Sequence, residues 1–270
     1  MRRPSWAGEV AIVSSFRFFW ITWVLLLAWF QPVAAQSEPF DAPPGANIVG
    51  LVWIEDRFWV SDLATNNIYR RADDGSWEVW QTWPNRPGPL AWDGTGLWVV
   101  DELAGQIIRV DTEVDSVTRT AVFDIPEIAI REVPSITGLT WDGDTLWLAT
   151  GCGLCSTFLQ IDSSTGDVLQ SFFPVCEPRG LAYSHEHPDL PRRLWTVAYN
   201  GPNKPALLSS RKITADPGFV SSSQTFSGFG SVSGSVPPEE PTAIAIHEGI
   251  WVVDRDNGKI SKYDPSAIPP

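Results

Sequence analysis

Arg86, Glu177, Arg179 and Glu240 stand in "RPGPLAW", "EPRGLAY" and "EPTAIAI", three segments where a charged residue and a proline lead into a short apolar run. Carboxylates and guanidiniums recurring in one phase can bind a ligand with an anionic end and a cationic or hydroxyl end, arginine acting as a forked donor. The same carboxylates can act as general acid or base if their pKa is tuned. The competing reading is a ring of structural ion pairs.

Three further groups have chemical potential. His185 and His187 in "YSHEHPDLP" and His247 in "AIHEG", with Glu186 or Glu248, form a legitimate transition-metal ligand set; loop histidines that merely meet solvent are the alternative. Cys152 and Cys155 in "TGCGLCSTF" and Cys176 in "FFPVCEPRG" allow a disulfide from Cys176 to one of the pair, here taken as Cys155, in an oxidising compartment. Redox or metal chemistry and an unbonded state stay open, although no helical pattern follows the pair to lower a thiol pKa. Asp62, Asp101 and Asp254 end "WVSD", "WVVD" and "WVVD"; such carboxylates shape the next turn by accepting backbone hydrogen bonds, with calcium ligation as the alternative. Neither a serine-centred nucleophile elbow nor a glycine-rich phosphate loop occurs in the sequence.

The elements that must position these groups repeat. "LVWIEDRFWVSD", "LAWDGTGLWVVD" and "LTWDGDTLWLAT" each place one tryptophan six residues ahead of another, and Trp59, Trp98, Trp147, Trp195 and Trp251 follow at intervals of 39, 49, 48 and 56. Units of this length, each a small sheet unable to bury both faces by itself, are the mark of a propeller. "NIVGLVW", "RPGPLAW", "SITGLTW", "EPRGLAY" and "EPTAIAI" read as inner strands whose small residues suit crowding at the axis. Asp-Gly turns at Asp93 and Asp142 reverse the chain, and an alternating third strand and a fourth strand follow. The tryptophans are expected to pack between sheets.

The fold class is therefore all-β, a five-bladed propeller of four-stranded antiparallel blades, with repeats near 46–85, 86–133, 134–177, 178–238 and 239–270. A sixth, degenerate blade within 200–240 is the minor alternative. The last unit lacks a fourth strand, so residues 37–47 are expected to supply it and close the ring. In such a blade the outer-to-inner and second-to-third loops share one face, the top. Arg86, Glu177, Arg179 and Glu240 then gather at the top of the channel, the default place for a ligand. The tract "SSSQTFSGFGSVSGSVPPEEP" reads as a weak outer strand and a long top loop.

Units such as "GLTWDGDTLWLAT" and "LAWDGTGLWVVDELAGQIIRVD" resemble those of exported bacterial propellers related to virginiamycin B lyase, NHL-repeat proteins and the five-bladed plant-type glutaminyl cyclases. The resemblance spans nearly all of residues 36–270. Its lyase members imply a metal-linked histidine on the substrate face, which no histidine here matches in position. Neither that activity nor the cyclase activity is assigned to a residue.

The N-terminus bears on compartment. Arg2, Arg3 and Arg17 precede an apolar run of 13 residues from Phe18 to Phe30, short of the roughly 20 that span a bilayer, and Val33 and Ala35 suit cleavage before Gln36. Residues 1–35 read as a signal peptide and 36–270 as one propeller domain, secreted or periplasmic; an uncleaved anchor is the alternative. With a net charge of -13 over 270 residues, the chain repels phosphate backbones and anionic surfaces, which disfavours nucleic acid and membrane partners. The expectation is a monomer that binds a small molecule or a protein through its top face with no cofactor, a divalent metal being possible. The alternative is a lyase, lactonase or cyclotransferase.

Overall fold

A computed structural model of the chain describes residues 38–113, 118–126, 135–151, 156–172, 177–185, 193–199, 206–213, 220–227 and 240–263. The proposed leader, Cys152, Cys155, Cys176 and His187 lie outside them.

The described residues form five four-stranded antiparallel sheets. The first holds β2 (Ile48–Ile54), β3 (Arg57–Asp62), β4 (Asn67–Arg71) and β5 (Trp77–Thr82); the second holds β6 (Pro87–Trp92), β7 (Leu97–Asp101), β8 (Gln106–Val110) and β9 (Arg119–Asp124). The third comprises β10 (Ser135–Trp141), β11 (Thr145–Gly151), β12 (Phe158–Asp162) and β13 (Val168–Phe172). The fourth comprises β14 (Pro178–Ser184), β15 (Arg193–Ala198), β16 (Leu207–Ile213) and β17 (Val220–Ser227). The fifth takes β18 (Pro241–Ile246), β19 (Ile250–Asp254) and β20 (Lys259–Tyr263) from the end of the chain and β1 (Phe40–Asp41) from its beginning. Phe40 opposes Ile260 and Asp41 opposes Lys259, so the ring closes as the missing fourth strand requires. The tract after Val220 supplies the outer strand of the fourth blade, which leaves no separate sixth sheet among the described residues.

Each blade buries one face against its predecessor and the other against its successor. Between the first and second blades, Ile54, Trp59 and Ile68 meet Leu90, Leu97 and Val99. Between the fifth and first, Ala243, Trp251 and Val253 meet Leu51, Phe58 and Val60, with Phe40 and Trp53 packed alongside. The core is thus a set of inter-blade layers, and burial of these aliphatic and aromatic faces drives the ring together.

The spacing of Asp and Trp has a structural cause. Asp93 opens the β6–β7 turn, where its Oδ1 accepts the N–H groups of Thr95 (2.9 Å) and Gly96 (2.8 Å) and its Oδ2 accepts the indole N–H of Trp98 at 2.8 Å. Asp142 repeats this, with Trp147 donating at 2.7 Å. One carboxylate therefore shapes the turn and satisfies the polar edge of a buried aromatic. In the fourth blade Ser184 Oγ takes the Trp195 indole N–H at 3.0 Å, and in the fifth the His247 carbonyl takes that of Trp251 at 2.9 Å.

Small residues do line the axis. A Cβ added to Gly138 would lie 2.5 Å from Leu181 Cβ and 2.7 Å from its backbone nitrogen, and one on Gly180 would lie 2.9 Å from the Ile244 nitrogen. Neighbouring inner strands touch at these points, and no side chain fits between them.

Candidate functional site

The inner strands align position by position, so Leu51, Leu90, Leu139, Leu181 and Ile244 form one ring around the axis. With the glycines above them they pinch the channel to a void of about 10 Å³, no more than a single water requires. The channel is thereby divided into two ends that do not share a ligand.

At the top, the four charged residues singled out in the sequence each have a partner within their own blade. Arg86 Nε lies 3.2 Å from Glu102 Oε2, Arg179 Nη2 lies 3.0 Å from Glu177 Oε1, and Glu240 is held by Arg255 in a two-point contact with Nε at 3.1 Å. Glu102 and Arg255 were not picked out in the sequence. Each directly follows the aspartate that ends its second strand, and its backbone N–H donates to the carbonyl of the residue that opens the inner strand: Glu102 to Arg86 and Arg255 to Glu240, both at 3.0 Å. Leu63 does the same to Asn47 at 3.0 Å in the first blade. The signal was available as opposite charges at paired repeat positions, Arg86 with Glu102 and Glu240 with Arg255.

Beside these ion pairs the top end holds polar atoms that are buried and have no hydrogen-bond partner: Asn47 Oδ1, Arg179 Nε and Thr242 Oγ1. They belong to the first, fourth and fifth blades, which are consecutive around the closed ring. Arg179 and Thr242 occupy the same position of adjacent inner strands, one residue above the touching point of Gly180 and the Ala243–Ile244 segment. The Arg179 guanidinium also stands 5.8 Å from the Tyr199 ring centroid. A buried donor or acceptor left unmatched costs about 1–3 kcal/mol, so a group that matches it is bound with gain. Glu102 is mostly covered, next to the space that a Gly88 Cβ would fill, 3.1 Å from Glu102 Cγ. Burial pushes its carboxyl above the usual range, and the Arg86 charge pulls only partly back.

Asp62, Asp101 and Asp254 are buried and accept the bonds expected of turn-shaping carboxylates. Asp62 takes the N–H groups of Asn47 (2.7 Å) and Ala64 (2.9 Å) and the Thr65 hydroxyl (2.6 Å). Asp101 takes the Trp83 indole (2.9 Å), the Asn85 amide (3.0 Å) and the Ala104 N–H (2.9 Å). Asp254 takes the Asn257 amide at 2.7 Å. These bonds tie the second-to-third loop to the mouth of the inner strand.

The two described histidines lie at the bottom end and turn toward different blades. His185 Nε2 donates to the Trp141 carbonyl at 2.8 Å, back toward the third blade; His247 stacks on Trp53 of the first blade, ring centroids 3.7 Å apart. Among the described residues no group of three or more His, Cys, Asp or Glu side chains is placed to hold a metal ion. The second tryptophan of each pair is buried as expected, whereas Trp53, Trp92 and Trp141 are half-buried and line a cavity of about 150 Å³ at this end, together with Tyr183 and His185.

No family model and no curated protein matches the sequence. The fold has many solved relatives. Glutaminyl cyclase from Myxococcus xanthus superposes with a TM-score of 0.57 at 13% identity, covering 84% of this chain and 94% of that one. A chain of the nidogen/laminin complex gives 0.53 at 14% identity over 80% and 75%. Virginiamycin B lyase from Staphylococcus aureus gives 0.46 at 20% identity over 81% and 66%. At these identities the likeness concerns architecture: the chain is a five-bladed β-propeller of four-stranded blades, a scaffold shared by proteins of different function.

Proposed function

We propose that this protein is an exported, secreted or periplasmic, binding propeller that takes a small anionic ligand at the top end of its channel. The observation that carries the reading is the arc of buried, unpartnered atoms on three consecutive blades, Arg179 Nε, Thr242 Oγ1 and Asn47 Oδ1. Arg179 supplies the charge-assisted donor for a carboxylate, and Glu177 holds its guanidinium from the other side at 3.0 Å. Thr242 can donate or accept, and Asn47 offers an acceptor to a hydroxyl or ammonium group, so the ligand is a small hydroxy or amino acid, or such a terminus on a protein. The neck of Leu51, Leu90, Leu139, Leu181 and Ile244 forms the floor. Export rests on the leader pattern of residues 1–35.

The test is calorimetric titration of residues 36–270 with a panel of small hydroxycarboxylates and amino acids. Saturable heat with at least one of them, weakened about tenfold or more by Arg179→Ala and also weakened by Thr242→Val, is the expected result. Heat that is unchanged in Arg179→Ala, or none for the whole panel, would sink the reading.

A second reading is an enzyme of lyase, lactonase or cyclotransferase type. What favours it is Glu102, a carboxyl raised by burial at the same end of the channel, the condition of a general acid or base. Glu177, Arg179 and Glu240 would then bind and orient the substrate. Turnover of an amide or ester substrate by the wild type, abolished in Glu102→Gln with ligand binding retained, would select it.

A further inference from the structure

The bottom end of the channel is a second cavity, separated from the first by the aliphatic neck, and its lining has a chemistry of its own. Trp53, Trp92, Trp141 and Tyr183 form an aromatic rim, one from each of four blades, around a space of about 150 Å³. That is below the several hundred Å³ of a drug-sized pocket and suits one ring-sized group. The wall between these side chains is main chain. In the second and third blades Asp93 N–H donates to Gly96 O (3.2 Å) and Asp142 N–H to Thr145 O (3.1 Å), so alternate residues, Ala91 with Asp93 and Thr140 with Asp142, face the second strand. The N–H and C=O groups of Leu90, Trp92, Leu139 and Trp141 therefore point away from it, toward the axis. The Trp141 carbonyl bears this out, since it is reached across the blade boundary by His185 Nε2 at 2.8 Å. That bond puts the His185 proton on Nε2 and leaves Nδ1 as an acceptor. Among the described residues the indole N–H groups of Trp92 and Trp141 have no hydrogen-bond partner, whereas that of Trp53 donates to the Glu55 carbonyl.

We propose that this aromatic-rimmed cavity is a carbohydrate-binding site that takes one pyranose ring, as a free monosaccharide or the terminal residue of a glycan. A sugar matches both parts of the lining. Its hydroxyls donate and accept at once, as a wall of alternating C=O and N–H groups with two indole donors demands. Its C–H faces lie against aromatic rings, which offer large rigid area at low entropic cost. A quaternary ammonium fits less well, because one face of Trp53 is already covered by His247 in a parallel stack, planes 7° apart, and the indole donors would stay unmatched. An anion would meet the inward carbonyls.

The test is saturation-transfer difference NMR and tryptophan fluorescence on residues 36–270 with millimolar D-glucose, D-galactose and N-acetyl-D-glucosamine, and tetramethylammonium as the competing probe. The expected result is saturable binding of at least one sugar. Trp92→Phe and Trp141→Phe, which keep the ring and remove the N–H, should each weaken it about fivefold, the loss of one hydrogen bond. Arg179→Ala at the other end should leave it unchanged, so that this site and the top-face reading stand or fall separately. Thermal melts of the phenylalanine variants confirm that they fold; if one does not, chemical-shift mapping of the sugar onto the wild-type indole N–H signals answers the same question. Binding of no sugar, binding of tetramethylammonium instead, or sugar binding that ignores Trp92 and Trp141 would overturn the assignment.

Discussion

The indole of Trp53 lies flat on the imidazole of His247, ring centroids 3.7 Å apart and planes within 7°. Trp53 ends the inner strand of the first blade and His247 follows that of the last, so the stack bridges the seam where the ring closes. A double-mutant cycle with Trp53→Ala and His247→Ala should give a coupling of about 1 kcal/mol. Additive effects in denaturant unfolding would show that the two rings do not support each other.

The same seam is held on its outer side by Phe40. Its ring lies 5.6 Å from Phe58 and from Trp251 and 6.3 Å from Trp77, and the Arg71 guanidinium sits 3.8 Å over it. Asp41 adds an ion pair to Lys259 at 2.5 Å and accepts the Trp77 indole N–H on its carbonyl at 2.9 Å. Phe40→Ala should cost about 2–3 kcal/mol and lower Tm by about 5–10 °C, and deletion of residues 36–46 should cost more. A melt unaffected by the deletion would mean that β1 does not hold the ring.

Acid should loosen the second blade first. Burial raises the Asp93 carboxyl, but the Arg109 guanidinium and then the N–H groups of Thr95, Gly96 and Trp98 outweigh it and hold the pKa at about 2, below the ordinary 3.8. Arg109 Nε approaches Oδ2 at 2.6 Å. A folded-state pKa below the unfolded one means that the stabilisation is present above about pH 4 and is lost as pH falls toward 2. Asp93→Asn should therefore reduce stability by about 2 kcal/mol at neutral pH and flatten the stability curve between pH 4 and 2. An unchanged curve in the variant would assign the acid response elsewhere.

Crowding at the axis makes Gly138 intolerant. The added methyl of Gly138→Ala would meet the Leu181 Cβ at 2.5 Å and its nitrogen at 2.7 Å, and neither atom can rotate aside. The expected cost is about 2 kcal/mol from forced separation of the third and fourth blades. A variant as stable as the wild type in chemical denaturation would show that the inner strands can slide apart without loss.

Much of this architecture was legible in the chain. A tryptophan six residues ahead of another, an Asp-Gly between them and a glycine before the inner leucine announce one blade, because turn chemistry and strand alternation are local. The missing fourth strand of the last repeat announced closure by the N-terminal segment, and Asp62 and Asp101 were recognisable as turn carboxylates from their phase. The partners of Arg86 and Glu240 were harder to see. Glu102 and Arg255 are 16 and 15 residues distant, and only the antiparallel register brings them alongside.

The sequence by itself determined the five-fold repetition, since repeat period, turn residues and apolar alternation are properties of neighbouring residues. Which tryptophans face solvent was decided by tertiary structure. Trp53 and Trp59 have the same composition and nearly the same surroundings in the chain, yet Trp59 is sealed between two blades while Trp53 stands at the end of the channel. A blade has no channel until five of them close, so the aliphatic neck, the two separate ends and the unmatched atoms of Asn47, Arg179 and Thr242 exist only in the assembled ring.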